Sequence, residues 1–193
     1  MLNSLTIFFY VIKINIGEID MVVMFVRHAE DVNDVLTKRG KKQCEMMIDY
    51  DETYSFSKIY TSPAKRCVDT AKALNKKFNL EIVVEDRLIE RQKLANNVPQ
   101  NKEEQEWYDN YLNPEFSYKN PEGCKEYLQR VFEFLNDIID KHSKNNENVI
   151  IIAHSGTMYA LSAYVHGIKQ GKDIKWVRVS NCAKIYFEFD KKV

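Results

Sequence analysis

The chain has 193 residues, 45% hydrophobic and 29% charged, with 28 Lys+Arg balancing 28 Asp+Glu. That is enough apolar material for one core and too much for a disordered chain. The zero net charge lacks the basic surplus of a general nucleic-acid or anionic-membrane binder, and apolar runs of at most six residues, such as Ile7–Ile12 and Met21–Val26, exclude a membrane-spanning helix of about 20.

Leu5 to Ile16 is apolar and β-prone, and Gly17-Glu18 breaks it. Its only Lys, Lys13, comes late and no Ala-x-Ala follows, which argues against a signal peptide. An extra edge strand, an extension of little order, and a working start at Met21 all stay open. Residues 1–20 are therefore treated as an N-terminal extension and 21–193 as the functional domain. Met21–Val26 has the apolar run of a buried strand, and Arg27-His28-Ala29-Glu30 follows its carboxyl end. Thr37 can cap a helix from Lys38 to about Asp49. Lys58–Tyr60 reads as a strand, and Ser62-Pro63 as a helix start with Ser at N-cap and Pro at N1. That helix carries Ala64, Cys67, Val68, Ala71, Leu74 and Phe78 at helical spacing. Ile82–Val84 is a third strand.

Residues 91–121 are the least regular, with a helix fitting Lys102 to Leu112. Glu122 to His142 is a long amphipathic helix, with Tyr127, Val131, Phe134, Leu135, Ile138 and Ile139 three and four apart. Val149–Ala153 is the clearest buried strand. His154-Ser155-Gly156 and a helix to about Val165 follow, and Trp176–Val179 and Lys184–Phe189 close the chain as strands. His142 and His166, near helix ends, read as exposed or structural. The four cysteines, Cys44, Cys67, Cys124 and Cys182, form no CxxC pair and read as small buried hydrophobes in a reduced, cytoplasmic chain. Alternating strands and helices predict an α/β fold with a largely parallel central sheet and helices on both faces.

In such a sheet ligands sit beyond the carboxyl ends of the strands. Arg27-His28 and His154-Ser155-Gly156 lie at such ends, and Arg66 lies in the first turn after Ser62. Two guanidinium forks and the N–H groups of helix starts make an anion pocket. A neutral imidazole facing a phosphorus can take the phosphoryl group, and positive groups around its oxygens suffice without a metal or cofactor. A carboxyl group must protonate the leaving oxygen, and Glu90, just past the third strand, is placed for that.

These residues form an ordered series that resembles the histidine phosphatase superfamily, which includes the cofactor-dependent phosphoglycerate mutases. Val26-Arg27-His28-Ala29-Glu30 resembles its Arg-His-Gly-Glu signature, and Leu36-Thr37 through Gly40 to Gln43 its Leu-Thr-x-x-Gly-x-x-Gln helix start. Ser62-Pro63-Ala64-Lys65-Arg66 to Thr70-Ala71 resembles the second arginine motif, and Leu88-Ile89-Glu90 the acid segment. Glu122 with Arg130 and Val131 matches the Glu-Ser helix. Ala153-His154-Ser155-Gly156 resembles the second histidine motif, and Ser180-Asn181-Cys182 the closing Asn turn.

The resemblance implies a three-layer α/β/α sandwich and a set of roles. His28 would be the phospho-accepting nucleophile. Arg27, Arg66 and His154 would hold the phosphoryl group. Glu90 would be general acid and then base, with Glu122 in reserve. Ser155 stands where one branch carries Asp as proton donor, which favours the branch that uses the Glu90 segment. Ala29 replaces the usual Gly and adds a methyl close to the pocket. Asn33 sits one residue before the family's pocket Asn. Arg91-Gln92-Lys93-Leu94 lacks the Gly and Trp-Glu-Gly often found there, and Gly123-Cys124 replaces the usual Ser.

The expected activity is metal-independent phosphomonoester hydrolysis on a small phosphorylated metabolite or a phosphopeptide, with no nucleic-acid or membrane partner and the oligomeric state left open. Residues 91–121 would be the lid, with Lys93, Lys102, Trp107 and Tyr111 as substrate contacts. The alternatives are a phosphoglycerate mutase-type phosphoryl transferase and a weakly active phosphate-binding scaffold. A zinc site on His28 and Glu30 lacks its Cys-x-x-Cys, and a cysteine phosphatase lacks its Cys-x5-Arg.

Overall fold

The central strands are apolar throughout Met21–Val26 and Val149–Ala153, and their period of two sends alternate side chains into layers on opposite faces of the sheet. The computed structural model describes residues 9–17, 20–48, 54–91, 94, 99–118, 121–166 and 179–191. In chain order these contain β1 (Phe9–Gly17), β2 (Met21–Arg27), β3 (Asp31–Val32), β4 (Val35–Leu36), α1 (Lys38–Ile48), β5 (Phe56–Thr61), α2 (Lys65–Phe78) and β6 (Glu81–Val84). Then follow α3 (Lys102–Asp109), α4 (Cys124–His142), β7 (Asn148–Ala153), α5 (Ser155–His166) and β8 (Lys184–Lys191).

Among the described residues the main sheet has six strands in the order β1-β8-β2-β7-β5-β6. β2, β7, β5 and β6 are mutually parallel, whereas β8 runs antiparallel to β2 and β1 runs parallel to β8. Val22, Met24 and Val26 of β2 and Ile150 and Ile152 of β7 pack with Cys44 and Met47 of α1 and Cys67, Ala71 and Leu74 of α2. The alternate residues, Val23, Phe25, Val149 and Ile151, pack with Tyr127, Val131, Phe134 and Ile138 of α4 and with α5. Burying each large side chain contributes about 1.5–3 kcal/mol, so both sheet faces are strongly fixed. The fold is the expected α/β/α sandwich.

The apolar stretch near the amino terminus supplies β1, whose residues Phe9 to Ile14 pair with Lys184 to Phe189. All four cysteines are buried and none is in a disulfide. No helix among the described residues is long and apolar enough to cross a membrane. The strand expected at Trp176–Val179 lies outside the described residues except for Val179, which is in no strand. His166's side chain also lies outside them. His142 is not exposed: burial leaves it 2% accessible, with Nε2 on the Tyr60 hydroxyl at 2.8 Å and Nδ1 on Glu147 at 2.6 Å. It is structural.

Candidate active site

Because β2, β7, β5 and β6 are parallel, their carboxyl ends share one edge. Arg27 is registered with Ala153, and Thr61 with both Ile152 and Val84. The residues after each strand are pinned there by backbone bonds: His28 N–H to Ala153 O at 2.9 Å, Ser62 N–H to Ile152 O at 3.0 Å and Glu85 N–H to Thr61 O at 2.9 Å. His28, His154, the start of α2 and the Glu90 segment therefore meet.

Arg66 joins the two histidines. Its Nε donates to His28 Nε2 at 3.3 Å and its Nη2 to His154 Nδ1 at 3.1 Å, and the ring centroids lie 5.3 Å apart. A guanidinium can only donate, so both of those ring nitrogens carry lone pairs. The proton of His28 is then on Nδ1, which donates to Ala29 O at 2.9 Å and lies 3.5 Å from Asp31 Oδ1. The proton of His154 is on Nε2, facing Ser62 Oγ at 2.8 Å.

Burial chiefly, opposed by the bond to Ala29 and assisted by the charges of Arg66 and Arg27, lowers the His28 pKa from 6.5 to about 4. Burial, Arg66 and His28 lower that of His154 to about 2. Both rings are neutral at ordinary pH, as a nucleophilic imidazole must be. Cys67 packs against His154 at 3.6 Å, and burial pushes its thiol up to about 12, which leaves it inert.

The Arg27 side chain donates from Nη1 to Val179 O, and its charge reaches both histidines. Asn181 Nδ2 donates to His28 O at 2.9 Å, and Cys182 N–H to Arg27 O at 3.0 Å, so the turn before β8 locks the Arg27-His28 backbone. Glu30 shapes the other side. Its N–H donates to Gln43 Oε1 at 2.9 Å and its carboxylate accepts from Thr37 Oγ1 at 2.8 Å. Gly40 is required here, since a Cβ would stand 2.1 Å from Glu30 O. Thr37 Oγ1 caps α1 by accepting from Gly40 N–H at 2.9 Å. The Ala29 methyl is in the buried layer under α1 and α2, and Ala29 N–H is held by Thr70 Oγ1 at 3.0 Å.

Glu90 lies beside the amino end of α5, with Gly156 N–H 3.5 Å from its Oε2. A helix N-terminus favours a carboxylate. A Cβ on Gly156 would come within 2.1 Å of Glu90 Oε1 and 3.0 Å of the Tyr127 hydroxyl, so the glycine opens the space the carboxylate uses. Burial and then the Glu90 charge push Tyr127 well above its ordinary range, keeping it protonated. Glu122, by contrast, is committed: both its oxygens accept from Arg130, at 2.7 and 2.8 Å, and Arg130 Nη1 donates to Arg87 O at 2.5 Å.

The expected lid contacts differ among themselves. Trp107 is buried, with Nε1 donating to Glu122 O at 3.2 Å. Tyr111 packs edge-on against Trp107, ring centroids 5.0 Å apart, and lies under the Arg91 guanidinium at 3.4 Å. Arg91 is itself buried and donates to Tyr111 O. Trp107 and Tyr111 thus hold the segment together around Arg91. Lys102 is exposed at the start of α3, and Lys93 lies outside the described residues.

The start of α2 is where sequence reasoning missed most. The helix begins at Lys65, not Pro63, and Ala64 at its N-cap gives no side-chain bond. Ser62 Oγ faces His154 at 2.8 Å and accepts only a long bond, 3.4 Å, from Ala64 N–H. The cap comes from Asp34, whose Oδ2 accepts from Lys65 N–H at 2.9 Å and Oδ1 from Arg66 N–H at 3.0 Å and Arg66 Nη1 at 2.9 Å. Burial raises the Asp34 carboxyl pKa, but these bonds and the Arg66 charge outweigh it and leave it below the ordinary value. Asn33, one residue earlier, is exposed, and it is Asp34 that reaches Arg66. The signal available was the Asn-Asp pair between Val32 and Val35, which marks a two-residue hairpin turn.

A model of the histidine phosphatase superfamily (branch 1) matches residues 23–193. Phosphoserine phosphatase 1 of Hydrogenobacter thermophilus is 27% identical over 169 residues, covering 78% of this chain and 78% of that protein. A 2,3-bisphosphoglycerate-dependent phosphoglycerate mutase of Thermoplasma acidophilum is 34% identical over 79 residues, 41% of this chain and 40% of that one. Among solved structures, the alpha-ribazole phosphatase of Shigella flexneri shares the fold with a TM-score of 0.68 at 20% identity, covering 83% of this chain and 87% of that chain. With the family match running over nearly the whole described core, this chain belongs to the histidine phosphatase superfamily.

Proposed function

We propose that the protein is a phosphoric monoester hydrolase that works through a phosphohistidine at His28. The observation that supports this most is the Arg66 guanidinium bridging two neutral imidazoles at 3.3 and 3.1 Å. A phosphoryl group entering that hollow takes the Arg66 donors, with the Arg27 charge and the neutral His154 ring beside it. Nε2 of His28 attacks phosphorus while the bond to the leaving oxygen breaks, and Glu90 gives that oxygen its proton. Water then attacks phosphorus, the N–P bond breaks, and the Glu90 carboxylate takes the proton of the water. The products are an alcohol and inorganic phosphate.

Residues 21–193 would be the catalytic domain and 91–121 its lid, reading a small phosphorylated metabolite or an accessible phosphopeptide. Phosphoserine, named for the Hydrogenobacter thermophilus relative, is the first substrate to assay. Four cysteines outside any disulfide suit a reducing, cytoplasmic setting. With an aryl phosphate, turnover is expected to persist in EDTA, and acid-labile phosphoprotein to be trapped in the steady state. His28→Ala removes both; retained turnover in that variant refutes the assignment of the nucleophile, and activity restored only by metal refutes the metal-free route.

A further inference from the structure

The hairpin of β3 and β4 turns through Asn33 and Asp34, both left-handed at φ 50° and 64°. Two positive φ values in succession are what a type I′ turn requires. The turn carries the Asp34 carboxylate to the start of α2, where it binds Arg66 twice, at the backbone N–H and at Nη1. Asp31 Oδ1 lies 4.0 Å from Nε of the same guanidinium. Two carboxylates thus face the arginine that bridges the histidines. An incoming phosphoryl group meets Nε and Nη2 of a guanidinium whose Nη1 is already held by Asp34.

We infer that Asp34 is a positioning residue that aims Arg66 and, by its own charge, holds phosphate affinity down so that the product leaves the pocket. The inference rests on the phosphatase reading and adds to it a control of product release. A carboxylate acting only as a helix cap would predict something else. Asn offers one acceptor oxygen where Asp34 uses two, so Asp34→Asn keeps part of the hold on Lys65 and Arg66 and removes the charge. Asp34→Ala removes the cap, the charge and the hold on Nη1 together.

The test uses the full chain with inorganic phosphate as probe, measuring its dissociation constant by calorimetry and its inhibition constant in aryl phosphate hydrolysis. Asp34→Asn is expected to bind phosphate about tenfold tighter, the scale of one charge removed from a partly solvated pocket. Asp34→Ala is expected to bind phosphate more weakly than Asp34→Asn and to melt at lower temperature. Asp34→Ser, also without charge but with a single, shorter hydroxyl, serves the charge comparison if the Asn variant fails to fold. Phosphate bound no more tightly by the neutral caps than by the wild type overturns the inference and leaves the phosphatase reading standing. A wild type that hydrolyses no phosphomonoester and binds no phosphate overturns both.

Discussion

Replacing Gly156 with Ala separates the proton donor from the phosphate grip. The new Cβ would stand 2.1 Å from Glu90 Oε1 and 3.0 Å from the Tyr127 hydroxyl. Contact distance is about 3.5 Å, so the carboxylate must retreat by roughly 1.4 Å. It is the far end of a flexible side chain, whereas Gly156 lies in a helix whose start follows a buried strand. Glu90 moves and α5 stays. Ala is favoured over Gly in a helix by up to about 1 kcal/mol, so the melting temperature is expected to change by no more than about 4 °C. A displaced general acid costs about 10²- to 10⁴-fold on substrates with poor leaving groups. The assay compares kcat for an alkyl phosphate with kcat for an aryl phosphate of low leaving-group pKa. The alkyl ester should lose most of its turnover and the aryl ester much less. Equal losses on both esters would mean a distorted pocket, and undiminished alkyl turnover would remove Glu90 from the reaction. Glu122→Gln is the control: breaking its bonds to Arg130 costs about 1 kcal/mol of stability without changing the ratio between the two esters.

Two further outcomes follow from the geometry. His28 is held neutral in the fold, with its pKa lowered from 6.5 to about 4, so the unfolded chain binds a proton in this window that the native chain does not. Stability is complete above about pH 6.5 and falls as pH drops toward 4; urea titrations at pH 7.5 and 5 should differ by about 2 kcal/mol from this group, less in His28→Gln, and equal slopes in variant and wild type would contradict the depressed value. Gly40→Ala, which elsewhere in a helix would stabilise, places a Cβ 2.1 Å from the backbone oxygen of Glu30 and should destabilise by about 1–3 kcal/mol in the same titrations, with reduced turnover because Glu30 lies two residues from His28. A stabilised Gly40→Ala would show that the close approach is not a constraint.

Where the sequence was readable, the reason is periodicity. Met21–Val26 and Val149–Ala153 are apolar on both faces of the sheet, so they stand out as central strands, and the first polar residue after each marks the site. Thr37, Gly40 and Gln43 were legible as a spaced set because all three act on one short stretch around Glu30. Asp34 was not, because β3 and β4 have two residues each and show no alternation, and because its partners lie 31 and 32 residues away. Ser62 looked like a cap, but its shorter bond is to the buried His154 imidazole and its bond to Ala64 N–H is long. Glu90 and Glu122 are equivalent as carboxylates in a sequence, and only the fork of Arg130 separates them. The direction of β8 was likewise hidden, since an apolar strand reads the same both ways.

The pairing of β1 along β8 has a consequence for the molecule in a crowded solution. Without those residues the eight-residue ladder of Lys184–Lys191 would form the rim of the sheet, with one row of amide and carbonyl groups open to a neighbour's backbone. Residues 9–17 cover that ladder, and β1 in its turn becomes the rim of the sheet.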